Sequence, residues 1–243
     1  LYYNLNYASN YGFEKLPVDY QKKLISLFPN HRILGAYQFL QMFPKYTVEE
    51  LEKKSHEKGS IKIGNGNYAL ELQEDGSNYV VLNAFHPHQV KHFQKFDSVM
   101  VALECLSNED YSILADSLVG NFNPKLAKQG SLRNYLYKNV KQLHLDEIGT
   151  FYNGFHISPS PLEAMWAINR YCLSSDNVMN YNNYSLGRRL LLSGVKEIML
   201  DNFKKDFLCL YKGEIISLYE LCEGKNASDI IEVIKEVDEN LIN

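Results

Sequence analysis

The chain has 243 residues, 45% of them apolar and 22% charged, a composition that supports one large core or two small ones and excludes a disulfide-dependent mini-protein or a disordered tail. Lysine and arginine number 25 against 29 acidic residues, a net charge of −4, so the basic footprint of a nucleic-acid binder is missing and no diffuse attraction to anionic lipid is expected. No apolar run approaches the roughly eighteen residues of a membrane span, and the N-terminus lacks the basic, then apolar, then small-residue order of a signal peptide. Cys105, Cys172, Cys209 and Cys222 sit among apolar neighbours without a C-x-x-C pair, which suits reduced, buried thiols and a cytoplasmic setting.

Residues 1–30 are aromatic and asparagine-rich and read as a wrapping arm, with Leu24, Ile25, Leu27 and Phe28 closing a short helical run before Pro29. The β-branched and apolar content of Ile33–Leu40 suggests a strand. Thr47 and Glu50 then form a capping box ahead of a charged helix over 48–58, which Gly59 ends. SIKIGN and NYALELQED alternate in period two around Gly64 and Gly66, and a turn at Asp75-Gly76 leads to the apolar run 79–85. The glycines of IGNGNY, 63–68, lack the lysine and hydroxyl residue of a phosphate loop and read as a hairpin turn.

VMVALECL, 99–106, predicts a buried central strand. Asn108 caps a helix through Leu118 that Gly120 terminates, and Gly120–Gln129, with Asn123-Pro124, reads as an exposed loop. A short strand over 151–157 runs into a serine- and proline-rich turn. Pro161 is placed as the first residue of a helix over 161–173 whose inner face is Leu162, Met165, Trp166 and Ile168. Beyond Ser174 the chain turns polar. Helices over 185–205 and 227–242 flank a hairpin at 207–221, so that 175–243 reads as an appendage.

Two clusters could carry chemistry. His156, at a strand end facing a helix N-terminus, has Asn153, Ser158 and Ser160 near it in sequence and Arg133 upstream. A helix N-terminus attracts anions, an arginine offers a planar fork to two phosphate oxygens, and hydroxyls and an amide add uncharged hydrogen bonds. In HPHQVKH, His86, His88 and His92 could share one face, and three imidazoles with an open fourth position would make a metal-dependent hydrolase. Acidic runs such as Glu49–Glu52 read as solvated helix faces.

Gly120, Asn123-Pro124, the G-S-L-R ending at Arg133 and the N-G-F-H-I-S-P-S from Asn153 to Ser160 follow one another within residues 99–167. This order resembles the nucleoside diphosphate kinase family. The resemblance implies an α+β fold, a ferredoxin-like four-stranded antiparallel sheet covered by helices, over 31–174, with strands at 33–40, 79–85, 99–106 and 151–157. Residues 1–30 would then be an N-terminal arm and 175–243 a mainly helical C-terminal extension. It also implies phosphoryl transfer from a Mg²⁺-bound nucleoside triphosphate to a nucleoside diphosphate, with His156 as phosphate acceptor, and a possible homo-oligomer. Arg133 falls on the phosphate-clamping arginine, Asn153 on the asparagine that contacts the sugar, and Ser160 on the serine beside the histidine, with Ser158 as a further hydroxyl. Asp116 and Phe122 stand where the family has a second arginine and a threonine, and Ala167 where it has the glutamate that orients the histidine. Glu163, one helical turn earlier, is the substitute for that glutamate. Lys45 is the nearest candidate for the family's strand-end lysine. A relative that binds nucleotide or a protein partner without catalysis is the alternative reading of the same residues.

Overall fold

The computed structural model describes residues 2–64, 66–145, 148–150, 152–172, 179–204 and 208–237. It divides into two units, Leu1–Met100 and Val101–Asn243.

In the first unit, α1 (Tyr2–Tyr11) and α2 (Val18–Leu27) precede β1 (Arg32–Gly35), α3 (Ala36–Met42) and α4 (Val48–Lys58). Three strands follow, β2 (Ile61–Gly64), β3 (Asn67–Glu74) and β4 (Ser77–Leu82), and then α5 (His86–Phe93). The sheet order is β1-β4-β3-β2. The β3–β4 hairpin pairs Leu70 with Val81 and Glu74 with Ser77, across a turn in which Asp75 and Gly76 both have positive φ, as a two-residue hairpin turn requires.

Side chains alternate across the sheet and separate two cores. Leu70, Leu72, Tyr79 and Val81 face Phe39, Phe43 and Leu51 from α3 and α4, while Ala69, Val80 and Leu82 face Ala8, Leu24 and Phe28 from the N-terminal helices. The near-continuous apolar run of β4 is what a strand covered on both faces demands. The residues expected as a wrapping arm therefore form one layer of this unit. Thr47 and Glu50 cap α4 reciprocally, at 3.1 and 2.8 Å, which contributes about 1 kcal/mol.

Two strand expectations fail here. The strand over 33–40 stops at Gly35, because Gln38 folds back to accept a hydrogen bond from the Gly35 N–H at 2.8 Å and Ala36, Phe39 and Phe43 continue at helical spacing into the core. Nor is the sheet antiparallel throughout: β1 runs parallel to β4, Ile33 opposite Val80 and Leu34 opposite Val81. The architecture is mixed α+β, with a four-stranded mixed sheet.

Residues 99–106 form no strand. Val99, Val101, Leu103 and Leu106 are between 75% and 88% exposed, and β4, the central position that such a run would suit, already has β1 and β3 beside it.

In the second unit, the helix expected from Asn108 begins as α6 (Tyr111–Ile113) and widens into a π-helical turn, Leu114–Val119. It ends at Gly120, whose N–H reaches Ala115 O at 2.8 Å and whose φ is +97°. After α7 (Leu132–Lys138), the residues 152–158 are irregular rather than a strand; Phe151, the start of that expected strand, lies outside the described residues. The helix α8 (Pro161–Tyr171) has the expected proline in its first turn. It packs Leu162, Met165 and Trp166 into one core with Tyr181, Leu190, Leu200, Phe203, Cys209, Leu218, Ile230 and Ile234.

Those partners come from a 3-10 turn (Tyr181–Asn183), α9 (Ser185–Leu192), α10 (Glu197–Phe203), the hairpin β5 (Leu208–Tyr211) and β6 (Glu214–Ser217), α11 (Leu218–Cys222) and α12 (Ala227–Glu236). The helix expected over 185–205 is thus two helices broken at Gly194, where φ is +97°. Leu173, residues 174–178, Lys205, Phe207 and 238–242 of the expected elements lie outside the described residues, as does Asn65 of the glycine turn. All four cysteines are free thiols as expected, but Cys105 and Cys172 are exposed; Cys209 and Cys222 are the buried pair.

Candidate functional site

Arg133 and His156 both lie in the second unit, near enough for the guanidinium charge to act on the imidazole. Arg133 is buried, and its Nη1 donates to Gly120 O at 2.8 Å while Nη2 and Nε donate to Phe155 O at 2.7 and 3.2 Å. The guanidinium thus joins the end of the π turn to the residue immediately before His156. Local geometry delivers it there: Gly120 turns the chain in a left-handed conformation that a side chain would obstruct, since a Cβ would sit 2.4 Å from Ser131 Oγ. Ser131 closes the loop by donating to Lys128 O at 2.7 Å, and Asn134 donates to Ala127 O at 3.2 Å.

His156 is exposed. The protein packed behind it, first, and the Arg133 charge, second, hold its pKa below the ordinary histidine value. At neutral pH the imidazole is therefore uncharged, with one ring nitrogen carrying a lone pair, the form a nucleophile needs. Burial also lowers the Arg133 pKa, although a guanidinium remains a cation at any physiological pH.

Asn153 joins the same neighbourhood, its amide donating to Phe122 O at 3.2 Å and Thr150 O at 3.4 Å. Ser160 is 1% exposed and its hydroxyl accepts from Glu163 N at 3.2 Å, so it caps α8. Glu163 lies half-buried in the first turn of that helix. Asp116 is on the π turn, where the resembling family would carry a cation.

Sequence reasoning missed Tyr111. Its hydroxyl donates to Ser158 O at 2.8 Å, and its backbone N–H donates to the Asn226 amide oxygen at 2.7 Å. Gly224 N donates to Pro159 O at 2.9 Å. These partners lie up to 115 residues apart, and no local pattern announces them.

Lys45 belongs to the first unit, where Glu74 accepts hydrogen bonds from both Lys45 and Tyr46 and Asp75 lies 3.5 Å from the ammonium. The three imidazoles of HPHQVKH are also in that unit, each in its own setting. His86 Nδ1 is hydrogen-bonded to the buried Ser9 hydroxyl at 2.7 Å, and burial pushes its pKa down to about 4. His88 pairs with the buried Glu52 from α4, with Glu49 3.9 Å from its other nitrogen. Burial, then Lys95 and His88, lower the pKa of His92. Among the described residues, no group of three His, Cys, Asp or Glu side chains is arranged to hold a metal ion.

In comparisons with known proteins, no family model, curated protein or solved structure matches the chain.

Proposed function

We propose that the 101–243 unit transfers a phosphoryl group from a nucleoside triphosphate to a nucleoside diphosphate through His156, as a divergent relative of the nucleoside diphosphate kinases. The observation that carries this reading is the junction of Arg133 with the carbonyl of Phe155, which sets a permanent cation beside a neutral, solvent-facing imidazole. The nucleophilic nitrogen forms a bond to the γ-phosphorus as the bond to the β–γ bridging oxygen breaks, and the diphosphate leaves with that electron pair. The same exchange in reverse hands the group to the acceptor diphosphate. Charge on the transferred oxygens is met by donors already in place. Mg²⁺ arrives as part of the nucleotide substrate. The reading rests on these side chains, not on a ferredoxin-like sheet; Ser158 and the amide oxygen of Asn153 are the polar groups available to the sugar and phosphates.

A second reading, a nucleotide- or protein-binding relative that does not turn over, is favoured by one specific observation. Three of the five N–H groups of Arg133 are engaged by backbone carbonyls, which leaves two for phosphate, and Asp116 offers repulsion where a second cation would help.

The two readings separate on incubation with γ-labelled ATP and Mg²⁺. Transfer predicts an acid-labile, alkali-stable label that is lost in His156→Ala and chased off by a nucleoside diphosphate. A folded wild type that binds nucleotide without taking label supports the binding reading.

A further inference from the structure

We propose that Tyr111 is the positioning residue for the His156 imidazole, tying the 155–160 segment to the cap of α12. The proposal rests on the phosphoryl-transfer reading of His156. His156 is carried by an irregular segment, so its aim depends on what holds the backbone to either side. Arg133 holds the carbonyl of Phe155 just before it. After it, the carbonyl of Ser158 accepts from the Tyr111 hydroxyl at 2.8 Å, Pro159 O accepts from Gly224 N at 2.9 Å, and Ser160 is committed to capping α8.

Among the ties that follow His156, Tyr111 supplies a side chain that reaches across from a separate element. Its own N–H is held by the Asn226 side chain at 2.7 Å, and the Asn226 amide donates onward to Asp110 at 3.0 Å. Asn226 is the N-cap residue of α12. A rigid phenol of two side-chain torsions therefore spans from the α12 cap to the residue two positions beyond the imidazole. Burial, first, and the nearby carboxylates of Glu163 and Glu223 push the Tyr111 pKa up to about 12, so the hydroxyl remains a donor throughout the working pH range. In-line transfer tolerates little misplacement of the attacking atom; an error near 1 Å costs on the order of a hundredfold in rate.

Tyr111→Phe deletes one hydroxyl and keeps the ring. The expected results are phosphohistidine formation slowed at least tenfold, an unchanged half-saturating Mg²⁺-ATP concentration, and an NMR titration midpoint of His156 moved up toward the ordinary histidine value as its segment loosens. Asn226→Gly, which removes the amide while costing the helix cap only a few tenths of a kcal/mol, should move both readouts in the same direction. The proposal is overturned if rate and midpoint in both folded variants match the wild type. If the wild type takes no label yet both variants move the midpoint, the positioning role stands and the phosphoryl-transfer reading falls.

Discussion

Arg133 has a structural role at the proposed site. Its bonds to Gly120 O and Phe155 O satisfy two carbonyls at a buried position and fix the cation beside His156. A lysine is a point charge on a flexible stem and cannot reproduce the fork. Arg133→Lys is expected to leave at least one carbonyl without its partner and to lower stability by about 1–3 kcal/mol, read as a lower urea midpoint with unchanged slope. His86 supplies a separate residue-scale prediction. Its pKa in the folded chain is about 4, below the roughly 6.5 of an unfolded histidine. Between those values the unfolded state binds more protons, so stability rises with pH. Lowering the pH from 6.5 to 4 should cost the first unit about 3 kcal/mol from this group. Urea titrations at both pH values should show the loss in the wild type and a smaller one in His86→Asn.

At the scale of elements, the junction of α1 and β1 gives a direct test of packing. Gly35 has an ordinary extended backbone, but a Cβ there would lie 2.4 Å from Ser9 O and 2.6 Å from Ala8 O. Gly35→Ala must push α1 away from the strand, and a loss of about 3 kcal/mol is expected by chemical denaturation. A variant as stable as the wild type would show that α1 does not approach so closely. The elements legible in the sequence were those whose signals are local. The Thr47 box, the Asp75-Gly76 turn and the alternation of β3 all encode their own geometry within a few residues. Ala36–Met42 reads as a strand because AYQFLQMF is apolar at both strand and helix spacing, and the deciding contact, Gln38 to Gly35 N, is a side-chain event. VMVALECL reads as a buried strand because its composition is that of one, yet burial needs a vacant place beside another strand, which the pattern of one segment cannot report.

Across the whole molecule, the two units hold different parts of what the sequence suggested. The first has the sheet, Lys45 and the histidines of HPHQVKH; the second has Arg133, Asn153, His156 and Glu163. Among the described residues no helix is long and apolar enough to cross a membrane. The motif spacing from Asn123 to Ser160 pointed to Arg133 and His156, whose segments the Arg133 bonds to Phe155 O join. It could not disclose Tyr111 or Asn226, whose bond spans 115 residues. Mapping of the phosphorylated residue, after brief exposure of the full chain to Mg²⁺-ATP and digestion at alkaline pH, tests the central claim most directly. The account predicts one phosphoryl group, carried by His156 and removed by added nucleoside diphosphate; an unmodified His156 in protein shown to have bound the nucleotide would contradict it.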